Sequence, residues 1–286
     1  MMDTVSFHEP RTVAEAVAIL ADIPDARCLA GGQTLVAGMN MGPLRPPALI
    51  SLRRIDEIRG IRGEPDGSVV VGAMATHRMV AQADGFQAGL EVVRQAARRI
   101  AHPAIRTMGT MGGSICHADP AADYPAVLVA TDARIEIASS RGRREVPSSA
   151  FFVDFLTTAV DPDEMVTAIR FPAAAMKTVG EYEKFARVDG DFATVSVALL
   201  LGMRDGKCAT ISLALGSCGP TPVRVAAAEA RLIGSRLDEA DIREASDLLA
   251  AASSPMDDVR GTAEYRLMLI PRLVARTVRR ARDRLL

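Results

Sequence analysis

The chain has 286 residues, of which 49% are hydrophobic and 24% are charged, and its formal net charge is −1. These values are typical of a folded globular protein with one large domain or two medium ones. They exclude a nucleic-acid-binding protein with a basic stripe through its body, and no apolar stretch approaches the ~18 residues that span a bilayer.

In the first hundred residues the pattern predicts short strands and helices separated by turns. Thr12 and Glu15 have the spacing of a capping box, and an apolar helical stripe follows them. Gly31-Gly32 ends a short apolar run abruptly, which indicates a strand followed by a turn. The predicted elements are a helix from Thr12, strands at 28–30, 48–52 and 69–71, a short helix capped by Thr76 and a helix at 90–100.

Beyond the glycine cluster at 109–113, the composition of the chain changes after Phe171-Pro172. After this point long strands come first and helices last, and Asp205-Gly206 is a hairpin signal between two of the strands. This order predicts an antiparallel sheet covered by helices, with a domain boundary near residues 172–180. The predicted elements are helices at 121–130, 223–233, 240–252 and from 262 onward, and strands at 134–138, 194–203 and 209–215.

Three features of the chain bear on its environment and partners. Met1 to Ser6 contains an acid and no apolar run, unlike a signal peptide, so we expect a cytoplasmic protein. The four cysteines form no C-x-x-C pair, so neither an iron–sulfur cluster nor a zinc site is predicted, and most of them should be buried. Six arginines crowd into residues 272–284, where they form either a solvated helix face or a docking surface for a partner.

Two glycine-rich loops are the strongest candidates for a functional site. Adjacent glycines leave main-chain N–H groups bare, and successive bare N–H groups with nearby hydroxyls form a site for an anion such as a diphosphate. Each loop taken singly is also explained as a tight turn. The loops are Ala30-Gly31-Gly32-Gln33-Thr34-Leu35 and Thr107-Met108-Gly109-Thr110-Met111-Gly112-Gly113-Ser114.

Other nucleotide motifs are missing from the sequence. No G-x-G-x-x-G occurs, so a Rossmann dinucleotide site is not predicted. Residues 202–208 are similar to a P-loop but have three residues between the glycines where four are required, and no Ser or Thr follows the lysine. A hairpin turn explains that segment better.

The two loops and several later motifs resemble the FAD-binding medium subunit of molybdenum hydroxylases. That family includes carbon monoxide dehydrogenase, xanthine dehydrogenase and enzymes that hydroxylate N-heterocycles. The likeness covers essentially the whole chain, in order. Besides the loops, it rests on His117 to Asp123, Phe171-Pro172, Tyr182 to Arg187, Asp191-Phe192-Ala193, Gly219 to Arg224 and Glu264-Tyr265-Arg266.

The resemblance implies an α+β chain of two domains. The first, residues 1–175, would be a two-part FAD-binding domain of the PCMH or vanillyl-alcohol-oxidase type, with its two subdomains divided near residues 55–60. The second, residues 176–286, would be a C-terminal domain of the carbon monoxide dehydrogenase flavoprotein type, with an antiparallel sheet plus helices.

The resemblance also implies a set of FAD-binding residues. The two loops would wrap the diphosphate with backbone N–H groups, and the Asp123 carboxylate would accept a ribose hydroxyl. Val166 would contact the flavin through its backbone, and Lys184 would offer a cation near it, although shifting the alignment by one puts Glu183 there. The full set is Leu29, Ala30, Gly31, Gly32, Gln33, Thr34, Leu35, Gly109, Thr110, Met111, Gly112, Gly113, Ser114, His117, Asp123, Val166 and Lys184.

Two departures from the family pattern leave the loop backbones intact. Gln33-Thr34 stands where some members have His-Ser, and Met111 replaces a more usual Ile. Neither change removes a backbone donor. Gln33 removes a candidate for covalent flavin attachment, so we expect non-covalent FAD.

Several polar residues near the second loop also have plainer explanations. His117 could be a satisfied polar residue at a helix start, Asp119 before Pro120 an N-cap, and Asp123 a favourable acid in the first helical turn. His77 and His102 are expected to be loop residues, not ligands.

The function that follows from the resemblance is electron transfer. The chain would be an oxidoreductase subunit with no catalytic side chain and no metal ligands, in a heterotrimer or a dimer of heterotrimers. A large subunit would hold the molybdenum cofactor and a small subunit two [2Fe-2S] clusters, whose electrons would pass through FAD to an external acceptor. Two alternatives remain: a self-sufficient FAD oxidase or reductase of the same fold, and a scaffold that has lost FAD.

Overall fold

The computed structural model of the protein describes residues 5–42 and 44–286. Its first part is a small parallel sheet of three strands in the order β1-β3-β2, packed on one helix. The Thr12 hydroxyl accepts a hydrogen bond from the Glu15 N–H at 3.1 Å, so the predicted helix start is confirmed. The elements of this part are β1 (Ser6–His8), α1 (Val13–Asp22), β2 (Arg27–Leu29), α2 (Leu35–Met41) and β3 (Ala48–Ser51).

Helix α2 was not expected from the sequence, and it is unusual because none of its residues is buried. Six of its seven residues are apolar or glycine, and Met41 is 79% exposed. Within the described residues no other helix or strand packs extensively against it. A helix this short has little stability of its own, so α2 depends on its immediate neighbours in the chain.

The second part is an antiparallel sheet of five strands in the order β4-β5-β10-β6-β7, with helices packed against it. Strands β5 and β10 are central and nearly all of their residues are buried, so this sheet forms the wall of the largest hydrophobic core. The elements are β4 (Ile61–Gly63), β5 (Val69–Gly72), α3 (His77–Gln82), α4 (Glu91–Arg99), α5 (Pro103–Arg106), α6 (Met111–His117), α7 (Tyr124–Ala130), β6 (Arg134–Ser139), β7 (Gly142–Pro147), α8 (Ser148–Phe151), β8 (Phe152–Asp154), β9 (Thr157–Thr158) and β10 (Met165–Phe171).

The third part is a four-stranded antiparallel sheet in the order β11-β12-β13-β14, covered on one face by three helices. Asp205 and Gly206 have positive φ angles of 52° and 72°, so the predicted hairpin turn is confirmed. The elements are β11 (Thr178–Phe185), β12 (Val195–Arg204), β13 (Lys207–Gly216), β14 (Val223–Arg224), α9 (Ala226–Leu232), α10 (Glu239–Ala251) and α11 (Ala263–Asp283). This arrangement of antiparallel sheet plus helices is the α+β architecture expected for the C-terminal region.

Three expected elements differ in the structure. The glycine cluster at 109–113 is mostly helix, because α6 begins at Met111. The helix expected from residue 121 begins at Tyr124, since the Asp119 carboxylate accepts the Ala121 N–H and makes a turn where an N-cap was expected. Residues 223–224 are a strand.

The arginine-rich end of α11 is used inside the chain. Arg276 and Arg280 each donate to the Glu183 carboxylate at 2.7 Å, and Arg284 donates to Glu181 at 2.9 Å and to Glu91 at 2.7 Å. These ion pairs fasten the last helix to strand β11 and to α4. They argue against the alternative of a docking surface, since these guanidinium groups already have partners.

Cysteine burial follows the expectation only in part. Cys208 and Cys218 are buried, whereas Cys28 is half-buried and Cys116 is exposed.

Residues 5–42 and 44–286 contain no helix that is both long enough and apolar enough to cross a membrane.

The second and third parts share one core, because Tyr182, Ala198 and Ala214 of the third part lie in the hydrophobic cluster of the second. Gly180 marks the closest approach: a Cβ there would overlap the Gly89 carbonyl and lie 2.8 Å from the Val92 nitrogen. The absence of a side chain at this position therefore lets β11 lie directly on the backbone before α4.

Gly180→Ala should destabilise the protein by about 1–3 kcal/mol, because the added methyl forces two backbones apart. Gly63→Ala is the matched control, since a Cβ at Gly63 meets nothing within 4 Å. Chemical unfolding of both variants checks this. Equal stability of the two would show that the contact at Gly180 is not tight.

Candidate functional site

The first glycine loop connects β2 to α2 on the surface of the small parallel sheet. Gly32 has φ of +72°, a left-handed conformation that glycine adopts without strain. Within the described residues, the backbone N–H groups of Gly31, Gly32, Gln33 and Thr34 donate no hydrogen bond. Four successive unpaired donors form the kind of concave row that binds an anion.

The two glycine loops touch each other backbone to backbone. A Cβ on Gly31 would overlap the Met108 carbonyl oxygen and lie 2.9 Å from the Gly109 Cα, and a Cβ on Gly113 would lie 3.7 Å from that of Ala30. Loops about eighty residues apart in sequence therefore lie side by side in the fold, while their joint binding of FAD stays a prediction.

The second loop, however, does not offer a row of bare N–H groups, and that expectation is wrong. Met111 and Gly112 donate to the carbonyls of Ala75 and Ala73, and Gly113 donates to the Thr110 hydroxyl at 3.1 Å. Gly109 and Ser114 donate to backbone carbonyls as well. Among the described groups of this loop, the Thr110 N–H has no acceptor although Thr110 is buried, and a buried unpaired donor calls for a partner.

The charges along both loop segments favour an anion. Residues 29–42 contain no acid, and no acid occurs between Glu91 and Asp119, a stretch that carries four arginines. Gly113 itself is exposed, so the space beside the first turn of α6 is open. The donors, the lack of carboxylates and the open glycine suit the diphosphate of a dinucleotide.

His77 lies directly beneath the second loop and was not expected to take part in the site. Its backbone N–H donates to the Gly109 carbonyl at 2.9 Å, and its Nδ1 is 3.2 Å from the Tyr124 hydroxyl. Burial, with a smaller contribution from the Arg106 guanidinium, lowers the pKa of His77 from 6.5 to about 4. The ring is therefore neutral at pH 7.

Asp123 and Lys184 form a buried ion pair between the second and third parts of the fold. The Lys184 Nζ is 2.9 Å from Oδ1 of Asp123 and donates to the Arg99 carbonyl at 2.7 Å. The Tyr182 hydroxyl donates to the same carboxylate at 2.6 Å. Burial raises the pKa of Asp123, while the Lys184 charge opposes the rise. Because the carboxylate has these partners inside the protein, a ribose hydroxyl would share it with them.

The alternation of strand β11 separates Lys184 from Glu183. Lys184 points to Asp123, toward the core that the second and third parts of the fold share. Glu183 points to Arg276 and Arg280, toward α11. Of the two alignments, the one that assigns the cation to Lys184 agrees with this geometry. Its contact with a flavin stays a prediction.

The remaining predicted site residues lie on β2, α2, α6 and β10. Leu29 ends β2, Leu35 begins α2, and His117 is the last residue of α6, not a residue at a helix start. Val166 is buried in β10 at a shift of strand register, and α6 packs against that strand. Cofactor contacts of these side chains stay predictions.

Sequence reasoning missed His77, Tyr124 and Arg99. Only Thr76 gave a local signal, as the cap of a short helix, and the structure shows that the cap also pairs with Thr110. The described residues contain no cluster of three or more His, Cys, Asp or Glu side chains suited to a metal ion.

Comparison with known proteins agrees with this geometry. Residues 3–174 match the family described as FAD binding domain in molybdopterin dehydrogenase, and residues 180–281 match the CO dehydrogenase flavoprotein C-terminal domain. The chain is 37% identical over 279 residues to the carbon monoxide dehydrogenase medium chain of Afipia carboxidovorans, covering 97% of this chain and 96% of that one. It is 36% identical over 276 residues to the medium chain from Hydrogenophaga pseudoflava, covering 96% of each.

Solved structures give the same result. Quinoline 2-oxidoreductase from Pseudomonas putida 86 superposes with a TM-score of 0.93 at 30% identity, covering 99% of this chain and 98% of that one. The chain therefore belongs to the family of FAD-binding subunits of molybdenum-dependent dehydrogenases. The resemblance and the fold class expected from the sequence are confirmed, while the exact domain bounds stay a prediction.

Lys184→Met should lower the free energy of unfolding by about 3–5 kcal/mol, because it leaves the Asp123 carboxylate buried without its cation. Adding Asp123→Asn should recover part of this loss, since the amide has no charge that would be left buried without a partner. The exposed pair Arg62 and Glu64 is the control, and Arg62→Met should cost less than about 1 kcal/mol. Urea unfolding of the double-mutant cycle measures the coupling, and additive losses would mean that the two groups do not interact.

Proposed function

We propose that this chain is the FAD-carrying electron-transfer subunit of a molybdenum hydroxylase. It would accept electrons from iron–sulfur clusters of a small partner subunit and pass them through FAD to an external acceptor. A large partner subunit would hold the molybdenum cofactor and oxidise the substrate, in a heterotrimer or a dimer of heterotrimers. The observation that carries this proposal is the contact between two glycine loops that contain no acid, the first with four unpaired backbone donors and the second with one, the Thr110 N–H.

The residues that would hold FAD follow from the donors available. The N–H groups of residues 31–34, the Thr110 N–H and the Ser114 hydroxyl would bind the diphosphate, since these groups have no partner among the described residues. Lys184 and Asp123 would lie under the nucleotide as a fixed ion pair, and Val166 would offer its backbone. FAD supplies one- and two-electron redox chemistry when bound, and the protein supplies position, electrostatics and access.

The domain division belongs to this proposal. We place an FAD-binding domain at residues 1–175, with two subdomains that divide near residues 55–60, and a C-terminal domain at 176–286. The separate sheets on either side of these points support the division.

We also propose that the protein works in the cytoplasm, which agrees with four cysteines that are free in the described structure.

A self-sufficient oxidase of the same fold is a weaker alternative. Such an enzyme would need a side chain that accepts a proton from its substrate beside the flavin. His77 and Asp123 do not suit that task, because His77 is buried under Gly109 and Asp123 is tied to Lys184. The relatives named carbon monoxide dehydrogenase medium chain are subunits of larger enzymes, which supports the relay.

Gly113→Val should abolish FAD binding in a protein that still folds. A Cβ at Gly113 would lie 2.9 Å from the Thr110 hydroxyl, and the β-branched side chain would fill the open space beside α6. Gly63→Val is the control, since a Cβ at Gly63 would meet no heavy atom within 4 Å. Visible absorption after reconstitution with FAD, together with circular dichroism, measures both properties. Full FAD content in Gly113→Val would remove the second loop from the site.

The flavin should be bound without a covalent link, because Gln33 stands where a histidine linkage could form. Cys116 and His117 are the nucleophiles closest in sequence to the second loop. Acid precipitation of the holoprotein should release the yellow colour into the supernatant. Colour that stays in the pellet would contradict this, and Cys116→Ser or His117→Ala would then identify the attachment.

The isolated subunit with FAD should not oxidise any N-heterocycle, aldehyde or carbon monoxide. Its flavin should still be reduced by dithionite and re-oxidised by an acceptor, and turnover should return when the large and small subunits are co-expressed. Anaerobic mixing with candidate substrates, followed at the flavin band, is the measurement. Bleaching at a catalytically useful rate without partners would support the self-sufficient oxidase.

A further inference from the structure

The His77 ring fills the space left by the missing side chain of Gly109 in the second loop. A Cβ on Gly109 would lie 2.7 Å from Nε2 and 2.8 Å from Cδ2 of His77, so the imidazole lies directly against the loop backbone. The ring is almost fully buried, and its other side is held by the Tyr124 hydroxyl, 3.2 Å from Nδ1. The two aromatic rings are 5.4 Å apart between centroids.

The backbone of His77 sets the direction of one peptide group. The His77 N–H binds the Gly109 carbonyl at 2.9 Å, so this carbonyl points toward α3. Because the peptide unit is planar and trans, the N–H of Thr110 in the same unit points the opposite way. That N–H is the donor of the second loop that has no acceptor among the described residues.

We infer that the His77 side chain is a positioning group for the cofactor phosphate: its ring, packed on Gly109 and held by Tyr124, keeps the backbone hydrogen bond between residues 77 and 109 in place, so that the Thr110 N–H is presented to the anion. The inference rests on the proposed function, since it takes the anion to be the FAD diphosphate. His77 acts through Thr110 and does not itself touch the cofactor.

The electrostatics of the ring support this role. Burial and the Arg106 guanidinium hold the pKa of His77 near 4, and burial keeps the pKa of Tyr124 well above 10. Both groups are therefore neutral at pH 7 and can share one hydrogen bond. The ring supports the loop as a packed, oriented group with no charge of its own.

The test compares FAD affinity and the ³¹P NMR signals of bound FAD among variants of the full chain. His77→Ala should raise the FAD dissociation constant at least tenfold and shift the diphosphate resonances. Tyr124→Phe, which removes only the hydroxyl that holds the ring, should act in the same direction but less. The double variant should be no worse than His77→Ala, since both changes interrupt the same chain of contacts.

Phe86→Leu is the matched control, because Phe86 is a buried aromatic of the same core that packs on Phe171, not on the loop. It should lower the melting temperature yet keep FAD affinity within twofold and leave the ³¹P signals unchanged. The inference is overturned if the His77 and Tyr124 variants keep wild-type affinity and signals, or if Phe86→Leu weakens FAD binding as much as they do at an equal loss of melting temperature. If His77→Ala fails to fold, Tyr124→Phe decides alone. A wild-type chain that binds no FAD would refute the proposed function together with this inference.

Discussion

At Gly31 the backbone of the first loop lies against the carbonyl of Met108, with no room for a methyl group between them. Each loop is attached to a different sheet: the first follows β2, and the second is held to residues 73–77 by three backbone hydrogen bonds. The contact therefore fixes the parallel and antiparallel sheets relative to each other. It also places the four unpaired donors of the first loop beside the single unpaired donor of the second, the Thr110 N–H, an arrangement that suits a ligand with two linked phosphates.

The start of α7 connects this contact to the C-terminal sheet. Asp123 and Tyr124 are consecutive but turn to different partners: Tyr124 to His77 under the second loop, and Asp123 to Tyr182 and Lys184 on β11. Buried polar groups of this kind are costly unless every member is paired, and they define one arrangement among many apolar packings. A shift of β11 would leave the Asp123 carboxylate unpaired, so the two domains are held in one relative position.

Sequence reasoning recovered the features that have a local cause. Thr12 and Thr76 cap helices because a hydroxyl accepts an N–H three residues on, and Asp205-Gly206 turns because both residues accept positive φ. The helix α6 was missed because glycines are poor helix formers. Here they allow close packing, since Gly112 lies against the backbone of Ala73. The ion pair of Asp123 with Lys184 joins residues 61 positions apart and leaves no periodic signal. The family resemblance supplied those two residues, though not their contact with each other.

Helix α2 begins at the residue that follows the row of unpaired donors, and it has no buried side chain to stabilise it. Its hydrogen bonds have low local stability, because a helix of seven residues with no buried side chain opens without disturbing the core. Amide protons of this helix should therefore exchange with solvent much faster than those of the neighbouring strands β2 and β3. Any molecule that orders the first loop also orders the first turn of α2, so hydrogen exchange in this helix reports on occupancy of the adjacent loop without a spectroscopic label.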